Sequence, residues 1–154
     1  MIRPEMECYT RVPGRRQLCS VRPENRRLIG AELTRRVVGA FFETYNEIGF
    51  GFSEAVCAGC LGIVLQERGI DFRREPAVDV FFRRRRIGRT RPDFIVEGLL
   101  VIELKALRAL EPWNTVQMLN YLRATTLEVG LLLNFGHVPE FKRFIYTNDR
   151  KKHL

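Results

Sequence analysis

The sequence predicts an α/β fold, a mixed sheet flanked by helices, and three observations carry that expectation. Apolar residues recur at helical spacing over 33–68, the period shortens to two over 77–106, and a helix from Pro112 leads into an apolar run. In the first stretch Leu33, Val37, Val38, Phe41, Phe42, Tyr45 and Ile48 share one face, with Arg35, Arg36, Glu43 and Glu47 largely opposite. The glycines around Phe50 stop that helix, and a second runs from about Phe52–Ser53 to Arg68, closed by Gly69. Residues 77–82 read as a strand, 83–86 as a turn and 87–96 as its partner. Glu97-Gly98 supplies the next tight turn into a third strand at 99–106. A helix at 112–124 follows, since proline suits a first helical turn. Residues 129–135 then form a buried strand, and 141–146 an extra edge strand. The predicted order is αα-βββ-α-β, a three-strand meander with a helical crossover to a fourth strand.

A chain of 154 residues that is 45% hydrophobic accommodates one domain with a real core, which excludes wholesale disorder. Residues 1–29 hold seven Arg against three Glu among scattered prolines and read as a flexible basic tail. The domain is expected over 30–148, with a polar, frayed end at 149–154. No apolar run approaches the ~20 residues of a membrane span, so no membrane partner is expected. Without an apolar stretch near the N-terminus, a secretory signal is not expected either, and the predicted location is cytoplasmic. A net charge of +8 favours a polyanionic partner. Of the 26 cations 22 are Arg, the better bidentate phosphate ligand, although genomic base composition produces the same skew.

Cys57 and Cys60 form a C-x2-C, with Cys8 and Cys19 far upstream. A reducing compartment removes disulfides, and a four-cysteine metal site would need the tail to fold back. Cys57 and Cys60 fall on an apolar helix face with Val56, Leu61, Val64 and Leu65, so core filling is expected.

The sharpest feature is Pro92-Asp93 followed by Glu103-Leu104-Lys105. Strand alternation sends Glu103 and Lys105 to one side and Ile102 and Leu104 to the core. A hairpin register placing Asp93 opposite Glu103 would bring two carboxylates and an ammonium together. Paired carboxylates repel unless a cation lies between them, and a hard oxygen cage suits Mg²⁺ or Mn²⁺. Such an ion polarises a scissile phosphate and activates water, with Lys105 positioning the water or stabilising developing charge. An edge strand with a surface ion pair is the alternative, but Leu99, Leu100, Val101 and Ile102 mark an interior strand. Gln117 and Tyr121 share a helix face that can orient water or phosphate. Glu54, at a helix start, offers a further carboxylate or simply complements the helix dipole.

These residues resemble the PD-(D/E)XK nuclease superfamily, and Gln117-x-x-x-Tyr121 resembles the Q-x-x-x-Y motif of its RecB-like branch. Residues from about 33 to 146 look like the GxxExxY family. The matching stretches are Gly51-Phe-Ser-Glu54, Leu65-Gln-Glu-Arg-Gly-Ile70, Ile102-Glu-Leu-Lys-Ala106, Gln117-Met-Leu-Asn-Tyr-Leu122 and Val129-Gly-Leu-Leu-Leu-Asn-Phe-Gly136. The resemblance implies a restriction-endonuclease-like core, metal dependence and DNA cleavage; many nucleases of this fold pair to cut two strands, so a homodimer is one alternative for the oligomeric state. It also departs from the family: Cys57 stands where the naming motif has Tyr, and Asn114 and Tyr45 stand where relatives carry His.

Arg83, Arg84, Arg85 and Arg86, with Arg89 and Arg91, are expected at the tip and return of the first hairpin. There they serve sequence-independent phosphate binding, or form an ordinary solvated turn. The sequence therefore predicts a metal-dependent nuclease with Asp93 and Glu103 as metal ligands and Lys105 beside them. Gln117, Tyr121 and Glu54 take supporting roles. A catalytically silent nucleic-acid-binding or protein-interaction module on the same fold is the rival.

Overall fold

The computed structural model describes residues 30–151; the segment expected as a basic tail, with Cys8 and Cys19, and residues 152–154 lie outside them. Helix α1 (Ala31–Ile48) buries Val37, Ala40 and Phe41 completely. It ends at Gly49, whose φ of 70° lies in the region where a side chain would be strained. Helix α2 (Glu54–Glu67) starts at Ser53, whose hydroxyl accepts from the Val56 N–H. Leu61 and Leu65 are buried in the core shared with α1 and the sheet, and Arg68 ion-pairs with Glu43 across the two helices. Cys57 is buried and Cys60 half-buried, both as free thiols. Val56, expected beside them on the buried face, is instead exposed, because it lies in the first turn before α2 reaches the core.

Strand β1 (Phe72–Arg74) follows, then β2 (Val78–Phe82), β3 (Arg85–Thr90), β4 (Phe94–Val96) and β5 (Leu100–Lys105). Helix α3 (Pro112–Ala124) crosses over to β6 (Val129–Asn134), and β7 (Glu140–Ile145) closes the edge as expected. The central sheet runs β1-β4-β5-β6-β7, with β5 and β6 parallel and the other neighbours antiparallel. Two expectations are corrected. The strand read over 87–96 is two strands in different sheets, because Pro92 has no N–H for a ladder and sits buried between them. The meander's first strand is therefore not part of the central sheet. β2 and β3 form a separate two-stranded ribbon, and the unanticipated β1 takes the place beside β4.

Ile102, Leu104, Phe94 and Leu131 pack against α1 and α2 on one face. Val101 and Leu132 pack against Met118 and Leu122 of α3 on the other. Gly130 permits that second layer: a Cβ there would lie 2.4 Å from Met118 Sδ, so α3 settles directly onto β6. After β7, a short 3-10 turn at Asn148–Arg150 leads to Lys151. Lys151 is buried, and its ammonium donates to Thr125 O at 2.8 Å and Leu127 O at 2.6 Å. The end expected to fray is thus tied down as far as Lys151.

Candidate active site

β4 and β5 are joined by the three residues Glu97-Gly98-Leu99, with φ of 49° at Glu97 and 66° at Gly98 and the Leu99 N–H donating to Val96 O at 3.0 Å. That turn sets the register Phe94↔Ile102, and continuing it by one residue brings Asp93 opposite Glu103. Asp93 lies just before β4 rather than within a strand, as the break at Pro92 requires. Its Oδ2 accepts from the Leu104 N–H at 2.6 Å, which locks the carboxylate against β5. Burial raises the Asp93 pKa, against the pull of that N–H and of Lys105.

Glu103 projects from β5 toward the α3 layer and is only 5% exposed. Its Oε1 has no hydrogen-bond partner. Burial first, then the Asp93 charge, push its pKa up to about 7, opposed by Lys105 and by a hydrogen bond from Tyr121. Lys105, two residues on and on the same side, holds Nζ 3.8 Å from Glu103 Oε2 and 3.9 Å from Glu54 Oε2. Glu54 reaches the same point from the start of α2, and its Oε1 accepts from the Ala106 N–H at 3.4 Å. On α3, Gln117 Nε2 donates to the Tyr121 hydroxyl at 3.5 Å, which completes a chain to Glu103. All six candidate residues therefore meet at the C-terminal end of β5, the end where crossover sheets leave a crevice. Arg83, Arg84, Arg85, Arg86 and Arg89 stand away from it on the β2–β3 ribbon, with exposed Arg91 on the link to Asp93.

How firmly the loop after β5 is held was not foreseen from the residue pattern. Asn134, fully buried at the end of β6, accepts from Leu107 N–H and donates to Leu107 O, both at 2.9 Å. Its amide thus extends the β5–β6 ladder by one side chain. Phe135 N–H donates to Lys105 O at 2.7 Å, and Glu140 accepts from Leu110 N–H at 3.2 Å. Gly136 is indispensable to the arrangement, because a Cβ would fall 2.0 Å from Leu107 O. Asn114 accepts from Glu111 N–H at 2.9 Å and so starts α3, while the Tyr45 hydroxyl donates to Gly136 O and His137 O. These ties fix Lys105 and α3 relative to one another. The available signal was an Asn closing an otherwise apolar strand, which strand periodicity cannot distinguish from a terminus.

Burial pushes the Cys57 thiol pKa up, against thiolate chemistry. Among the described residues no group of three or more His, Cys, Asp or Glu is gathered to hold a metal ion, and the carboxylate pair is Asp93 with Glu103. No helix among them is long and apolar enough to cross a membrane.

The sequence model of the PD-(D/E)XK nuclease superfamily matches residues 31–144. No curated protein matches significantly. A solved structure described as "Crystal structure of SSO0001" aligns with a TM-score of 0.48 at 16% identity, over 79% of this chain. The alignment spans 61% of that protein's length.

Proposed function

The chain belongs to the PD-(D/E)XK nuclease superfamily, and on that premise we propose that it is a Mg²⁺- or Mn²⁺-dependent nuclease hydrolysing DNA phosphodiester bonds. The observation that carries the reading is Glu103: a carboxylate buried beside Asp93, with one oxygen unpartnered and its pKa raised to about 7. A fold gains no stability from that placement, whereas a hard cation between the two carboxylates compensates both charges. Asp93 and Glu103 would hold the ion, which supplies Lewis-acid polarisation of the scissile phosphate.

Lys105 does the neighbouring work with its own charge. Its ammonium spans Glu103 and Glu54, so it is held where it can donate to a phosphate oxygen or to the attacking water. Tyr121, steadied by Gln117, orients Glu103, and Glu54 balances Lys105. Within the superfamily we place the chain in the GxxExxY branch, on the Gly51–Glu54 and Gln117–Tyr121 stretches, with Cys57 replacing the motif's last Tyr. A homodimer would place one such site on each strand of a duplex.

Incubation of supercoiled plasmid with Mn²⁺ tests the proposal. Nicked or linear product is expected from the native protein and not from Lys105→Ala. Plasmid retention in a gel without cleavage under any divalent ion would instead establish a silent binding module.

A further inference from the structure

The β2–β3 ribbon stands outside the central sheet, with its root three residues from Asp93 and β2 packed beside α3. Its two-residue turn is Arg83-Arg84, both left-handed at φ of 46° and 62°. Such turns favour Asn-Gly, because a side chain strains that backbone, and here both positions carry Arg. A strained tip kept cationic points to a role for the charge. Asp79 occupies Arg86 at 3.5 Å and Arg89 at 3.0 Å, but Arg83, Arg84 and Arg85 have no acidic partner among the described residues. Between the two groups the register shifts: Val80 pairs with Gly88 and Phe81 with Arg86, so Ile87 is bulged out of the ladder. It is 66% exposed, beside a tip where the Arg83 guanidinium lies 5.4 Å over the Phe82 ring.

We propose that this ribbon is a duplex-gripping arm, in which Arg83, Arg84 and Arg85 enter the minor groove of DNA and Ile87 wedges against a base step. The inference rests on the nuclease reading for its choice of DNA and deepens it to double-stranded substrate. Minor-groove proteins combine these two elements, cations that follow the groove and an aliphatic wedge that unstacks a step. Single-strand binders use exposed aromatic faces for stacking, whereas the exposed ring at this tip, Phe82, already carries the Arg83 guanidinium over its face. The shallow minor groove of duplex RNA offers such a wedge no purchase. The six residues of β3 extend about 20 Å, so the tip grips roughly six base pairs from the carboxylates.

Binding is measured by fluorescence anisotropy, without metal, on a duplex two helical turns long and on a single strand of equal length. A 2-aminopurine within the duplex reports unstacking. The Arg83→Asn/Arg84→Gly double variant suits the turn better than the native residues, so it keeps the fold while removing two cations. The native protein is expected to prefer duplex and to raise the 2-aminopurine signal. The double variant should lower the log–log salt slope by about 1.8, at about 0.9 per lost contact. Ile87→Ala should keep the slope and lose the fluorescence rise. Equal affinity for single strand, an unchanged slope in the double variant, or an unchanged signal in Ile87→Ala each overturns the proposal. Plasmid cleavage with Mn²⁺ is scored separately, so arm-dependent duplex binding without cleavage would retain the arm and remove the nuclease.

Discussion

Glu103 and Lys151 are both buried ionisable groups, and their surroundings give them opposite meanings. Glu103 has an unpartnered oxygen and a neighbouring carboxylate, so its charge is a burden on the metal-free fold. Glu103→Gln should therefore raise metal-free stability at pH 8 by roughly 1–3 kcal/mol while abolishing cleavage. Urea unfolding checks this, and an unchanged midpoint would mean that the carboxylate's charge is already compensated. Lys151 is satisfied by two carbonyls, yet burial lowers its pKa to about 8 from 10.5. Below pH 8 it is protonated in both folded and unfolded chains, and the folded state carries the full desolvation cost. Between pH 8 and 10.5 the folded state releases the proton that the unfolded chain retains, so this group makes stability rise with pH across that window. Lys151→Met should flatten that rise, as thermal melts over the same range would read.

The elements differ in how far the sequence disclosed them. Both helix–glycine boundaries, the Glu97-Gly98 turn and the crossover from β5 through α3 to β6 were legible, because periodicity and turn chemistry agree there. So was the meeting of Asp93, Glu103 and Lys105, which follows from strand alternation once Leu99 joins Glu97-Gly98 in the connection. β1 was not legible, since three residues reading Phe-Arg-Arg show no period, nor was the split at Pro92, where two strands abut in sequence and part in space. Contacts made at a distance were hidden as well. Gly130 and Gly136 have no positive φ, so their need for glycine is purely steric and depends on what packs above them. Gly136→Ala should destabilise the fold by roughly 2–4 kcal/mol by driving a Cβ into Leu107 O. Asn134→Ala should cost a similar amount, about 2–4 kcal/mol, by leaving the Leu107 N–H and C=O unpaired. Chemical denaturation measures both. A Gly136→Ala midpoint equal to that of the native protein would show that the loop yields freely.

Across the whole molecule, the two helical layers serve different ends. α1 and α2 bury the larger apolar cluster and contribute Glu54, while α3 covers the opposite face and brings Gln117 and Tyr121 to Glu103. The candidate site lies where both layers meet the end of β5, and the ribbon departs from the segment beside it. The central claim is that Asp93 and Glu103 together hold a divalent cation. Calorimetric titration with Mn²⁺ tests it most directly, on the native protein and on Asp93→Asn and Glu103→Gln, whose shapes leave the Leu104 hydrogen bond and the β5 packing in place. The expected result is a binding isotherm for the native protein that is lost in either variant, with circular dichroism spectra unchanged in all three. Mn²⁺ binding that persists undiminished in both variants would contradict it.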